Sequence, residues 1–373
     1  MKPVYLDHGT LAPPSSHLTS QMQPFMKRHF HGVTSPYLHG KEPFVSVERA
    51  LGDIRAFVGA HPKDAFYFTS SGSAAISSCF QTAYFDHIAQ SGKNHVITVS
   101  SEEAPIRLLC KQYEKVGVFH DVAPLNENGQ FTLEQLKSLI TPKTGLVSLS
   151  WANSLTGVIH PVWELAEFCK ENGILFHVDA SQVLGKIYFR FEELPIDFLT
   201  FDGPIVHGPK GSGALFVRRG VESSPLVFEG MDGAALNTPA LIGLGIAATE
   251  MSGAFDHLCL ETARLRDKLE EGIKLAIPEV SILYKDAERL PNVAAISFPG
   301  VHHELLAFHL KEGGVFASFG GGQMQKLEYL TNDPCALSFS LSKDTTEEEI
   351  DRALGIIINA AQKCRTFSKE VAP

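Results

Sequence analysis

The chain has 373 residues, enough for more than one hydrophobic core, and 44% of them are apolar and 20% charged, the make-up of an ordinary globular protein. A formal net charge of −10, with no Lys/Arg cluster, excludes a phosphate-binding surface for nucleic acid. No apolar run reaches the ~18 residues of a membrane span, and the opening Met1-Lys2-Pro3-Val4-Tyr5-Leu6-Asp7 carries no apolar signal region, so a cytoplasmic location is expected.

Short apolar, often β-branched runs alternate with helical patterns through the first two thirds of the chain. Ala65–Thr69, His95–Ser100, Gly145–Trp151, Ile174–Asp179, Asp197–Phe201 and Ala214–Arg218 read as strands buried on both faces. Between them lie helix candidates such as Ala74–Ile88 and Pro161–Asn172, the latter opened by proline and stopped at Gly173. Such alternation predicts an α/β fold with a mostly parallel sheet flanked by helices, and ligands in such sheets gather at the carboxyl ends of the strands. After about residue 250 the pattern changes to a helix at Ala263–Ala276, a strand at Val293–Phe298, a helix at Glu304–Glu312 and a strand at Ala336–Leu341. A last helix opens at Thr345-Thr346-Glu347-Glu348, where Thr345 is placed to cap and Glu348 to reach back. The expected division is a large domain over residues 1–250, including the N-terminal segment, and a small α+β domain over 251–373.

Cys79, Cys110, Cys169, Cys259, Cys335 and Cys364 are scattered, with no C-x-x-C pair, and predict reduced, packed thiols rather than a disulfide framework or a zinc site. His302-His303-Glu304 has no third partner for a metal, so a helix-start or surface role is expected, and Gly320–Gly322 reads as a flexible loop. Thr69-Ser70-Ser71-Gly72-Ser73 follows a strand and opens a helix; exposed N–H groups there suit a phosphate, although such turns also occur for purely structural reasons. Asp179, in Phe176-His177-Val178-Asp179-Ala180-Ser181-Gln182, sits at a strand end, where a carboxylate serves equally as a turn residue.

These motifs, together with Leu184-Gly185-Lys186 and Gly208-Pro209-Lys210-Gly211, resemble the class V aminotransferases and cysteine desulfurases, and the likeness runs from Tyr5-Leu6-Asp7 to the last helix. The resemblance implies the fold type I architecture of enzymes that use pyridoxal 5'-phosphate (PLP), and a homodimer with sites near its interface. It places Gly72 and Ser73 at the cofactor phosphate, Asp179 at the pyridinium nitrogen, Gln182 near the ring hydroxyl, and Ser154 where the family has an asparagine facing that hydroxyl. Asn153 is adjacent, so a one-residue shift would restore the contact.

Other positions depart. The family's His-Lys pair, whose lysine forms the Schiff base, reads Pro204-Ile205, and its ring-stacking histidine is Glu103. The arginine that clamps the substrate carboxylate is Ser338, the phosphate-binding threonine from across the dimer is Ala235, and Ala317–Gln323 lacks the nucleophilic cysteine of the desulfurases. Isoleucine cannot make an imine, and each change removes a separate function. The leading expectation is therefore a family scaffold without catalytic turnover, acting as a dimer partner or binding module, with an active relative or another protein as its partner. Two alternatives remain open. One is an enzyme that holds PLP or its amine form non-covalently, with His207 as a proton carrier. The other is a conventional enzyme that uses Lys210 or Lys186.

Overall fold

A computed structural model describes residues 2–32, 36, 41–224, 236–322 and 325–371. The first strand, β1 (Val4–Tyr5), is short; the next seven are β2 (Ala65–Thr69), β3 (His95–Val99), β4 (Phe119–Ala123), β5 (Thr144–Ser150), β6 (Leu175–Asp179), β7 (Phe198–Asp202) and β8 (Gly213–Val217). These seven form one sheet in the order β2-β8-β7-β6-β5-β3-β4. Neighbours from β7 through β4 pair parallel, while β8 is antiparallel to both β7 and β2.

The six strands of this sheet read from sequence lie within one or two residues of their expected ends; β4 is the strand of the sheet that the pattern missed, as it missed the two-residue strands elsewhere. Phe119, Asp121 and Val122 are exposed on this edge strand, so the uninterrupted apolar signature of a buried strand is absent. The inner strands alternate their side chains between two apolar layers. On β8, Ala214 and Phe216 join the core that also holds Leu199 and Phe201, whereas Leu215 and Val217 face the layer of Ile76, Cys79 and Phe80. Burial on both faces explains why these strands read as continuous apolar runs.

Helix α1 (Ser16–Lys27) is capped by Ser15, and α2 (Lys41–Val58) packs against the helix Thr238–Gly253, where a Cβ on Gly245 would lie 2.7 Å from the Ala50 backbone. Helix α3 (Gly72–Thr82) follows β2 directly, and the expected continuation to Ile88 is a π-helical turn, Ala83–Ile88.

A second core is built from β9 (Ser281–Ile282), β10 (Val293–Ser297) and β12 (Ala336–Ser340) in antiparallel order, covered by the helices Phe255–Ala276, His303–Gly313 and Glu347–Val371. β1 pairs in parallel with β11 (Val315–Phe316), and Val4 and Leu6 are buried in this core, so the chain's first residues pack with its last third. The capping box of the last helix lies one residue beyond its expected place: Thr346 Oγ1 accepts from Glu349 N, and Glu349 Oε2 accepts from Thr346 N. Thr345 is drawn away because its hydroxyl accepts from Ser342 N at 2.9 Å. Among the described residues no helix is long and apolar enough to cross a membrane.

Candidate active site

β3 and β5 lie side by side, but the chain leaves β3 toward β4 and leaves β5 toward β6, so the loops at their carboxyl ends diverge. A crevice at such a point is the usual ligand site of an α/β sheet. A cavity of about 520 Å³ opens there, lined by the starts of α3 and the post-β3 helix, the ends of β5, β6 and β7, and Gly9–Leu11.

Gly72, Ser73, Asp179, Gln182 and Ile205 all line this cavity, so the structure brings together five of the positions singled out from sequence. Asp179 is held by the fold as well as facing the cavity. Its Oδ2 accepts from Thr200 Oγ1 at 2.7 Å and its Oδ1 from Ser181 N at 3.1 Å. Behind it, Thr200 Oγ1 lies 2.9 Å from His177 Nε2, and Ser148 Oγ lies 2.8 Å from His177 Nδ1. Thr200 gives its proton to Asp179, so His177 Nε2 donates to Thr200 and Nδ1 accepts from Ser148. Burial lowers His177 to about 3, which keeps it neutral, as this relay requires. Burial also raises Asp179 to about 6. Gln182 donates from Nε2 to Gly9 O at 2.9 Å, tying β6 to the N-terminal segment.

The remaining positions are used differently. Ser154 donates to Glu103 Oε1 at 3.0 Å and does not itself line the cavity. Asn153 spends its carbonyl oxygen on Leu155 N and Thr156 N and its amide on Ser101 O, so it serves as a turn builder and is not free for the one-residue shift. His207 is turned elsewhere. It follows the 3₁₀ turn Gly203–Val206 in a left-handed conformation (φ 61°), its Nδ1 is 2.9 Å from Pro13 O, and it is not among the cavity-lining residues. Burial lowers its pKa. Lys186 is buried, with Nζ donating to Gln182 O at 2.8 Å, and also lies off the cavity wall; burial lowers it to about 8. Lys210 is exposed and does line the cavity. Ser338 is buried in β12, backbone-paired with Ser318. Ala235 and Gln323 lie outside the described residues.

Gly321 and Gly322 form part of the cavity wall, and Gln325 just beyond them donates to Ser100 O; the glycine run, read as a loose loop, is thus folded against the site. His302 caps the helix His303–Gly313, its Nδ1 accepting from Glu304 N, while His303 is buried against Phe319. Cys335 is partly buried and, like the other five cysteines, is a free thiol.

Two carboxylates were passed over in the sequence. Glu102 is buried beside Glu103, and its oxygens accept from Ser150 N at 2.6 Å and Ser150 Oγ at 2.8 Å. Asp202, at the end of β7, accepts from Gly72 N at 2.6 Å. Their signal was position, since Asp202 ends β7 and Glu102 lies in the short turn after β3, and both strands point their carboxyl ends at the crevice. Burial raises Glu102 to about 8 and Glu103 to about 7, with neighbouring acids adding to the rise, and it raises Asp202 as well. The described lining therefore holds four carboxyl groups and one cation, Lys210. A covalently held PLP asks for an amine and for free N–H donors at the helix start. At the Schiff-base position this wall offers isoleucine, and the Gly72 N–H at the helix start is already engaged, so the residues at these two positions do not fit that group.

Residues 4–353 match the profile of the class-V aminotransferases. The chain is 30% identical to a cysteine desulfurase from Nostoc sp., covering 99% of this chain and 95% of that protein. It is 31% identical to the cysteine desulfurase NifS of Azotobacter vinelandii, over 95% of this chain and 91% of that one. A solved NifS-like protein superposes with a TM-score of 0.88 at 26% identity, covering 96% of this chain and 98% of its own.

Proposed function

Since the chain belongs to the class V aminotransferase family, we propose that it keeps the architecture of a PLP enzyme while having lost the covalent chemistry, and that it works as a homodimeric binding scaffold or as partner to an active relative. The observation that carries this reading is Ile205 on the cavity wall at the position of the Schiff-base lysine. An alkyl side chain can neither condense with an aldehyde nor shuttle a proton. Three further features support it. Glu103 is engaged with Ser154 at the position of the stacking histidine, Ser338 is buried in place of the substrate-binding arginine, and His207 is committed to Pro13.

Retention of Asp179 and Gln182 does not argue against the reading, because both have structural work: Asp179 accepts from Thr200 and Ser181, and Gln182 ties down Gly9. Purified protein incubated with PLP and then dialysed is expected to retain no yellow aldimine band, and with added cysteine to release no sulfide or alanine. Sulfide or alanine release above a heat-denatured control would refute the proposal.

One observation favours a second reading: Lys210 places an amine on the same cavity. Gly208-Pro209-Lys210-Gly211 matches the family's own sequence, so this lysine is present alongside the catalytic one in active relatives and is no substitute for it. Lys210→Ala should leave any PLP affinity unchanged; loss of a PLP-dependent absorbance on that substitution would transfer the catalytic role to Lys210.

A further inference from the structure

We infer that Asp202 is a resident anion that closes the start of α3 to phosphorylated ligands, so that the cavity accepts only ligands without a phosphate. The inference deepens the proposed loss of cofactor chemistry and rests on a different residue and a different physical interaction.

A helix start attracts a phosphate through its unpaired N–H groups and the positive end of its dipole. In α3 these donors are largely spoken for within the chain. Gly72 N donates to Asp202 Oδ1 at 2.6 Å, and Ala74 N donates to Ser71 Oγ at 3.1 Å. The first is a short, charge-assisted bond whenever the acid is ionised. Asp202 is not a surface group that swings aside. It is partly buried, and its own N–H donates to Ser181 Oγ at 2.9 Å. The packing is close as well. A Cβ on Gly72 would lie 2.7 Å from Asp202 Cβ, and one on Gly213 would lie 2.4 Å from the Ser71 carbonyl carbon. Glycine at both positions lets the helix start settle directly onto the ends of β7 and β8.

A phosphate arriving here meets a carboxylate already bonded to the donor it needs. Asp179, Glu102 and Glu103 on the same wall add to the repulsion whenever they are ionised, and Lys210 is the single described cation lining the cavity. Asp202→Asn removes the anion while keeping an oxygen for the Gly72 N–H, and Asp202→Ser, with its shorter side chain, also withdraws that acceptor; both leave Gly72, Ser73, Asp179 and Gln182 in place.

Pyridoxamine and pyridoxamine phosphate separate this effect from imine chemistry, because neither carries an aldehyde. Isothermal titration calorimetry would compare both compounds on the wild-type chain, Asp202→Ser and Asp202→Asn, with inorganic phosphate as a third probe. In the wild type the phosphate group is expected to add no affinity. In Asp202→Ser, pyridoxamine phosphate should bind at least about tenfold tighter than pyridoxamine, and inorganic phosphate should compete with it. Asp202→Asn, nearly isosteric and uncharged, guards against misfolding of the serine variant and should shift the preference in the same direction. A wild-type chain that already prefers the phosphorylated compound about tenfold, or folded variants that gain no preference, would overturn the inference. Either result leaves the chemistry of Ile205 untouched. Conversely, an imine found on the wild-type chain would sink the proposed function without deciding the role of Asp202.

Discussion

At the end of β6 the cavity wall is anchored: Asp179 accepts from Thr200 and Ser181, and the relay continues through His177 to Ser148, crossing three adjacent strands. In the turn after β7, Ile205 faces the same cavity, and a side chain with no polar atom gives the fold no hydrogen bond at that position. The first wall matches the family and the second departs from it. Where a polar side chain is part of the hydrogen-bond network of the sheet, replacing it costs stability whether or not the site turns over. Where a side chain serves only the reaction, its loss is structurally cheap. On the proposed function, Asp179 together with isoleucine at position 205 is the outcome expected of a scaffold maintained for its shape.

The contrast can be broken by substitution on each wall. The largest effect is expected for Thr200→Val, which keeps the shape but leaves Asp179 and His177 without their shared partner; unfolding in urea should show a loss of about 3 kcal/mol. A loss below about 1 kcal/mol would mean that the relay does not hold the wall.

Glu102→Gln comes next and acts through pH. The carboxyl of Glu102 sits at about 8 in the folded chain against an ordinary 4.5, so the folded state holds its proton more tightly than the unfolded state. Its contribution to stability is complete below pH 4.5 and is lost as the pH rises through about 8. Glutamine does not titrate. The variant should therefore gain on the wild type with rising pH, by roughly 2 kcal/mol between pH 5 and pH 8, as read from thermal or urea unfolding at both values. The buried histidines act in the opposite sense: burial lowers His8 and His160 to about 4, so their contribution is lost as the pH falls below 6.5. They are common to both chains and cancel in the difference. A variant that tracks the wild type at both pH values would show that Glu102 is not desolvated as described.

The smallest effect is expected on the second wall. Ile205→Ala should cost about 1 kcal/mol, since the side chain is only partly buried and its loss enlarges an existing cavity. A cost equal to that of Thr200→Val would erase the distinction between the walls.

Much of this was legible in the sequence, for identifiable reasons. The inner strands announced themselves because both faces are buried, and β4 did not because its outer residues meet solvent. Gly72, Ser73, Asp179, Gln182 and Ile205 converge because each lies at a strand end or helix start, and the rule that ligands gather there is topological. His207 could not be placed beforehand, because its direction depends on a left-handed backbone at the end of a 3₁₀ turn. The capping box slipped by one residue because Thr345 and Thr346 are equivalent candidates until Ser342 claims the first. The roles of Asp202 and Glu102 were hidden for a similar reason. Their partners, Gly72 and Ser150, are 130 and 48 residues away in the chain.

The central claim is that no side chain of this protein forms an imine with PLP at its cavity. Borohydride reduction of the purified chain with PLP, followed by peptide mass spectrometry, tests it most directly. The account predicts no reduced pyridoxyl adduct on any cavity-lining residue, Lys210 included; a stoichiometric adduct on one of them would contradict it.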